Sequence, residues 1–471
     1  MAAIGDTGER KGFRLQSPPE WGIEPVPQSE RTLGFVDFAV LWGDLGIGLL
    51  VLLAGSFLVP GLGLSQAMLA IVVGSAIGCT LLAAAGLIGS KLGAPTMVLL
   101  RPALGLRGSY LPTVLNIVQL IGWTIFEIVI MASAANAVSQ SLFAFNSYGL
   151  WAIVSAVVVI LMGVGGPFVI IRQWLSKVAV WVMLATTLWL TWRLFSSNDI
   201  VALWQKPGDG SLSFWVAVDL VISMPVSWLP LVADYNRFAR APRGAAWGTF
   251  IGFFVTNVWF MALGMLILLT SQVAQEPREF ATAIALTAGA LALVILLVDE
   301  TDNAWADLYS AAVSTQNILP RVRQSMLIVG MGVVSLLIAL VLDVTQYEFF
   351  LLLLGSFFVP LFGVLLADYF VVRKGKYASE ELYTRSAGIR WGAVAAWLVG
   401  VVVFQVTNPS FLGAYWADWA KFAPEALGAF GGSIPSFVAA FVLQVVLARR
   451  RTAPSRPHGD AADLIPAARR D

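Results

Sequence analysis

The stretch Val298-Asp299-Glu300-Thr301-Asp302-Asn303-Ala304-Trp305-Ala306-Asp307-Leu308 sets four carboxylates inside sequence that stays apolar and helix-compatible on both sides. An ionisable side chain at bilayer depth costs about 2.5 to 3.5 kcal/mol on insertion scales. Several together are tolerated only where they face a cavity, an ion or a polar substrate, so the segment points to a functional interior. The remaining composition makes bilayer depth the right frame. Of 471 residues, 58% are hydrophobic and 12% charged, too few charges to cover a water-soluble globule. The chain reads as an all-α, multi-pass integral membrane protein.

Outward from that stretch, apolar segments long enough to span fall near 33 to 58, 67 to 89, 111 to 137, 149 to 168, 174 to 195, 213 to 235, 247 to 271, 289 to 314, 325 to 342, 347 to 372, 389 to 407 and 432 to 448. A crossing needs about 20 apolar residues, which gives twelve. With a cytoplasmic N-terminus, the inner connections carry Lys91, Arg101 and Arg107, then Arg172 and Lys177, then Arg237, Arg240 and Arg243, then Arg321 and Arg323. Arg373, Lys374, Lys376, Arg385, Arg390 and Arg449 to Arg451 follow, against Lys206, Arg278 and Lys421 outside. This bias places both termini in the cytoplasm of a cell-membrane protein. Four parts are expected: a disordered tail over 1–30, a ten-helix core over 31–375, two further helices over 376–448, and a disordered tail over 449–471.

Two registers are open for the eighth span. Residues 281 to 298 alone could cross, leaving the acids to solvate a helix end. Counting back about 20 residues from Arg321 instead sets the midplane near Asp302 to Asp307 and makes 281 to 288 an outer re-entrant or surface helix; this second register is preferred. The only histidine, His458, lies in the polar tail, so a proton relay would have to use carboxylates. Cys79 is the single cysteine, which excludes an intramolecular disulfide. Residues 1 to 30 lack the apolar core of a cleaved signal peptide. A net charge of +1 with no basic face argues against nucleic acid as a partner.

Two spans are interrupted. The first reads Leu41-Trp42-Gly43-Asp44-Leu45-Gly46-Ile47-Gly48, with glycines around an aspartate; the sixth reads Ser223-Met224-Pro225-Val226-Ser227-Trp228-Leu229-Pro230. Either break alone could serve packing. Together they occupy corresponding positions in two five-helix repeats, the sequence mark of a secondary transporter with a midplane site. On span three, Gln119, Trp123 and Glu127 recur at i, i+4 and i+8 and share a helix face. Trp123 offers a stacking plane or plain packing; Glu127 offers an acceptor for an amine or ring N–H. On span eight, Asp299, Asp302 and Asn303 share one face while Glu300 and Asp307 lie round to another, so one face could meet substrate and the other a coupling cation. Asp44 and Asp219 are weaker candidates, and Asp234 is read as pairing with an arginine at the inner end of span six.

At this point the chain resembles the nucleobase:cation symporter family 1, the cytosine/purine permease group, from about residue 32 to about 375. The resemblance rests on Val73-Gly74-Ser75 through Gly86, Gly89, Lys91 and Gly93, then Leu100-Arg101, Gly105, Gly108-Ser109, Leu111-Pro112 and Gly122-Trp123. Ala233-Asp234-Tyr235 with Arg237-Phe238, Thr301-Asp302-Asn303-Ala304, and Gly363 with Ala367-Asp368-Tyr369 extend it. It implies a LeuT-like five-plus-five inverted repeat and a flat base held between spans three and six with polar readout from span eight. On that basis Trp123 matches the stacking tryptophan, Glu127 a polar position one turn on, and Asn303 the readout segment. Two departures stand out. The span-six aromatic aligns near Pro225, leaving Trp228 as its substitute, and the paired hydroxyls that help hold sodium align with Asp299 and Glu300, which brings in H⁺ as a rival to Na⁺. A branch proposed to carry hydroxymethylpyrimidine is also similar; that compound and cytosine are both 4-aminopyrimidines.

The expected function is import of cytosine or another aminopyrimidine driven by H⁺ or Na⁺, with no enzymatic activity and no cofactor beyond the coupling cation. The expected substrate residues are Trp123, Glu127, Gln119, Trp228, Ser227, Asp302 and Asn303, and the expected cation residues Asp299, Glu300, Asp44 and Gly43. The rival readings are an intramembrane hydrolase using paired aspartates such as Asp44 and Asp302, a passive channel, and a carrier of another flat solute such as a purine, hydantoin or allantoin.

Overall fold

The computed structural model describes residues 21–165, 180–271, 275, 277–341, 347–383, 388–408 and 431–449. Most of both terminal tails, with Arg172, Lys177, Arg385 and Lys421, lies outside them. Among the described residues there are helices and no strand, only a bridge pairing Leu33 with Ala239. In chain order these are α1 (Phe35–Asp44), α2 (Leu49–Ser56), α3 (Leu64–Leu92), α4 (Thr96–Leu99), α5 (Arg101–Leu104), α6 (Tyr110–Phe143), α7 (Tyr148–Gly165), α8 (Val180–Ser197) and α9 (Ile200–Gln205). They continue as α10 (Phe214–Ser227), α11 (Val232–Asn236), α12 (Pro242–Ser271), α13 (Pro277–Ala288), α14 (Ala290–Gln316), α15 (Gln324–Ala339) and α16 (Tyr347–Leu366), which runs into a π-helical turn, Ala367–Val372. The last are α17 (Ser379–Tyr383), α18 (Trp391–Thr407) and α19 (Ser433–Arg449).

Helix thus occupies each apolar stretch singled out above. Among the described residues, six helical stretches are long and apolar enough to cross a membrane, with α10 and α11 counted as one and α16 with its π-helical turn as one, or seven when α1 and α2 count as one span bent by 62° at the Leu45–Gly48 break. The span-six stretch is interrupted too: Pro225 lies inside α10, and the turn Trp228–Leu231 separates α10 from α11. Both breaks lie where glycine or proline weakens the backbone ladder. In the eighth stretch, Gly289, at φ +92°, divides the outer helix α13 from α14. The acids of α14 are buried, none of the four more than 3% exposed.

Packing brings the breaks and the acids together. The bent pair α1–α2 lies on α12, α10 and α11 lie on α3, and α14 lies on α6. The α2–α12 approach is close enough that a Cβ on Gly264 would sit 1.8 Å from the Leu52 carbonyl oxygen, so only glycine fits.

One end of the molecule is bound by a strap, residues 21–33. Arg31 donates to the carbonyls of Val26, Ser90, Lys91 and Leu92, and so satisfies the last turn of α3. The following Gly93, at φ +68°, accepts from Val26 N–H. Arg237, fully buried, donates to Gly22 O at 2.6 Å and to Tyr309 Oη at 2.9 Å, and Tyr383 donates to Ile23 O.

Candidate functional site

The α6 periodicity delivers Gln119, Trp123 and Glu127 to the side facing α14 and the two breaks. A cavity opens there, lined by Trp123 and Glu127 from α6, Leu45 and Gly48 from the first break, Leu50 and Val51 from α2, and Met224, Ser227 and Trp228 from the second break. Glu300, Asn303 and Asp307 of α14 complete it. Its aromatic walls are braced from behind. The Trp123 ring meets Tyr347 and Phe350 edge-on, with centroids 5.7 and 5.2 Å away. The Trp228 ring meets Trp42 edge-on at 6.0 Å, and the Trp42 indole donates to Asn236 Oδ1 at 2.9 Å. Edge-to-face contacts of this kind fix ring planes without covering both faces.

The first break is tied to α14 by two bonds. Leu49 N–H, at the start of α2, donates to Glu300 Oε2 at 2.7 Å, and Asn303 Nδ2 donates to Ile47 O at 2.9 Å. Glu300 therefore serves the exposed donors and positive end of a short helix. Gly48 lies against both side chains: a Cβ there would be 3.0 Å from Glu300 Oε2 and 3.1 Å from Asn303 Nδ2. Gln119 holds the other break, donating from Nε2 to Ser227 O at 3.0 Å and to Asn116 Oδ1 at 2.8 Å. Ser227 turns its hydroxyl to Met224 O. Four buried atoms around this space find no hydrogen-bond partner among the described residues: Trp123 Nε1, Glu127 Oε2, Asn303 Oδ1 and Gln119 Oε1. Buried polar groups are nearly always paired, so these atoms are open to a hydrogen bond from water or a ligand.

A second group of acids lies beside the cavity. Asp44, Asp299 and Asp302 bring one carboxylate oxygen each to within 4.8 Å of one another. All six of their oxygens are buried with no hydrogen-bond donor among the described residues. Three carboxylates so close cannot all stay ionised without compensation. The oxygen donor set suits a proton or a hard cation.

The placement of the sequence candidates therefore differs from their expected division. Asp302, expected at the substrate, sits with Asp44 and Asp299, while Glu300, expected at the cation, lines the cavity and binds Leu49 N–H. The reason is helical phase: residues 299 and 302 lie about 60° apart around a helix, and 300 and 307 about 20° apart. Gly43 directly precedes Asp44, and a Cβ there would meet Gly252 of α12 at 3.7 Å, an ordinary van der Waals contact. Asp234 does not form the expected ion pair. Its Oδ1 accepts from Thr96 N–H, and Arg237 reaches only its backbone carbonyl. Asp219 lies outside the site and accepts from Gly432 N–H and Ser433 N–H at the start of α19 and from Asn408 Nδ2 just after α18. Asp307 was visible as an acid on the right helix without an assigned role. Tyr347 and Phe350 carried no signal, because their contact with Trp123 joins segments more than 200 residues apart in the chain.

Comparison with known proteins gives a consistent set of likenesses. A family model described as permease for cytosine/purines, uracil, thiamine, allantoin matches residues 25–427. A Bacillus subtilis (strain 168) protein provisionally named purine-cytosine permease YxlA is 26% identical over 414 residues, covering 83% of this chain and 88% of that protein. The hydantoin permease of Microbacterium maritypicum is 24% identical over 418 residues, covering 81% and 83%. Among solved structures, Mhp1, a nucleobase-cation-symport-1 family transporter in a closed conformation with bromovinylhydantoin bound, superposes with a TM-score of 0.78 at 20% identity, over 91% of this chain and 95% of that one. At that identity the likeness concerns the fold.

Proposed function

We propose that this chain, which belongs to the nucleobase:cation symporter family 1 of permeases for cytosine/purines, uracil, thiamine and allantoin, imports an aminopyrimidine such as cytosine or hydroxymethylpyrimidine together with a cation. As a member it is a multi-pass membrane permease for nucleobase-type solutes and not an enzyme, which sets aside the hydrolase reading of Asp44 and Asp302. The observation that carries the substrate reading is the cavity between Trp123 and Trp228, with unpartnered Glu127 Oε2 and Asn303 Oδ1 at its edge. A flat ring stacks on indole, and those oxygens accept from its amine and ring N–H.

In this reading twelve helices cross the membrane. The first ten, residues 31–375, form two inverted five-helix repeats; two helices follow in 376–448, and both termini are cytoplasmic. Support comes from packing: the first broken span lies on the seventh and the sixth on the second, as a two-fold exchange of repeats requires. Asp44, Asp299 and Asp302 take the coupling cation, H⁺ or Na⁺, and Glu300 ties that group to the substrate space through the α1–α2 break. Alternating access then turns on the two breaks. The hydantoin permease relative keeps a second substrate class in view, the flat cyclic ureides.

Uptake of labelled cytosine or hydroxymethylpyrimidine into proteoliposomes with imposed Na⁺ or H⁺ gradients tests both halves. Trp123→Ala and Glu127→Ala are expected to abolish uptake at unchanged expression. Base–aromatic stacking is worth about 1–3 kcal/mol, so Trp123→Ala alone weakens binding roughly 5- to 150-fold. Uptake at normal affinity in both variants would remove the site.

A further inference from the structure

Among the described residues, the ionisable side chains that line the cavity are all acids, Glu127, Glu300 and Asp307. The two buried arginines among the described residues are occupied elsewhere: Arg101 binds Asn317 and the Leu382 carbonyl, and Arg237 binds Gly22 O and Tyr309. Only Glu300 of the three acids has a backbone donor, Leu49 N–H. The other lining atoms specify the rest of a ligand. Asn303 Oδ1 is a buried acceptor without a donor, Trp123 Nε1 is a buried donor without an acceptor, and two indole rings supply faces.

Resting on the reading that this cavity seats the substrate, we propose that it takes its heterocycle as a cation, a flat ring bearing an amine and a positive charge, and that Asp307 with Glu127 sets the preference over neutral oxo rings. Buried acids in a low-dielectric interior stay ionised only where a positive charge compensates them, and a cationic ring supplies that charge. The same ring gains from the indole faces, whose quadrupoles favour positive charge. A lactam carbonyl turned toward an ionised Asp307 or Glu127 sets acceptor against acceptor and leaves both unsatisfied. The ring needs one acceptor, for Trp123 N–H, and donors everywhere else. Hydroxymethylpyrimidine meets this pattern by taking one proton from solution onto a ring nitrogen, leaving its second ring nitrogen as the acceptor; cytosine meets it when protonated at N3, with its 2-oxo group as the acceptor.

The test is calorimetric binding to the full-length protein in lipid nanodiscs, with two rings of the same outline: 4-amino-1-methylpyrimidinium, a permanent cation, and neutral 1-methylpyrimidin-4-one. The cation is expected to bind at least about tenfold more tightly, and Asp307→Asn is expected to reduce that advantage to about threefold or less. Glu127→Gln, which keeps the side-chain shape, reads out the same loss should Asp307→Asn fail to fold. Equal binding of the two rings, no binding of the cation at millimolar concentration, or an advantage that survives both substitutions would overturn the proposal. Trp123→Ala separates this from failure of the seat. If both rings bind unchanged in that variant, the cavity is not the substrate site; if both need Trp123 yet bind alike to the wild type, only the charge preference falls.

Discussion

Glu300 shows how a side chain expected in one role can carry a structural bond that its sequence does not announce. Its carboxylate was expected to hold a cation; its Oε2 instead accepts the Leu49 N–H at 2.7 Å where α2 begins. Glu300→Leu leaves that buried donor unsatisfied at a cost of about 1–3 kcal/mol, so a lower melting temperature in detergent is expected, whereas Glu300→Gln, which still accepts, stays near the wild type. The i, i+4, i+8 row of Gln119, Trp123 and Glu127 was legible because helical periodicity fixes a shared face with no knowledge of neighbours. Which face of α14 meets that row depends on the phase of one helix against another, and a single sequence does not carry it. Tyr347 and Phe350 escaped for the same reason.

Among the elements, the two interrupted helices were announced by their own glycines and prolines, since those residues act on the backbone locally. The seat of α19 was not. Asp219 in α10 looked like a marginal ionisable residue, yet it gathers Gly432 N–H, Ser433 N–H and Asn408 Nδ2 and so anchors a helix more than 200 residues later. Asp219→Ala removes the acceptor for two buried backbone donors, each costing about 1–3 kcal/mol when left unmade. The expected result is earlier proteolytic release of the segment after residue 408 and a lower melting temperature, with the substrate affinity of the surviving folded fraction unchanged. A parallel loss of affinity would place Asp219 in the transport machinery instead.

For the molecule as a whole, membrane residence and the run of helices were legible because hydropathy accumulates over hundreds of residues, and the family through spaced motifs such as Gly122-Trp123 and Thr301-Asp302-Asn303-Ala304. The strap at residues 21–33 was not legible: its bonds run mainly to backbone carbonyls and leave no complementary residue to find. Arg31→Ala is expected to speed amide exchange at Val26 by about tenfold or more, since each lost hydrogen bond is worth about 0.5–1.5 kcal/mol; exchange at the wild-type rate would show that the guanidinium does not hold the segment. Arg31 and Arg237 grip main-chain oxygens that every residue type possesses. The leash is thus indifferent to mutation on the receiving side and adjustable from Arg31, Arg237 and Tyr383, so the stiffness of that end is written in a few side chains outside the cavity.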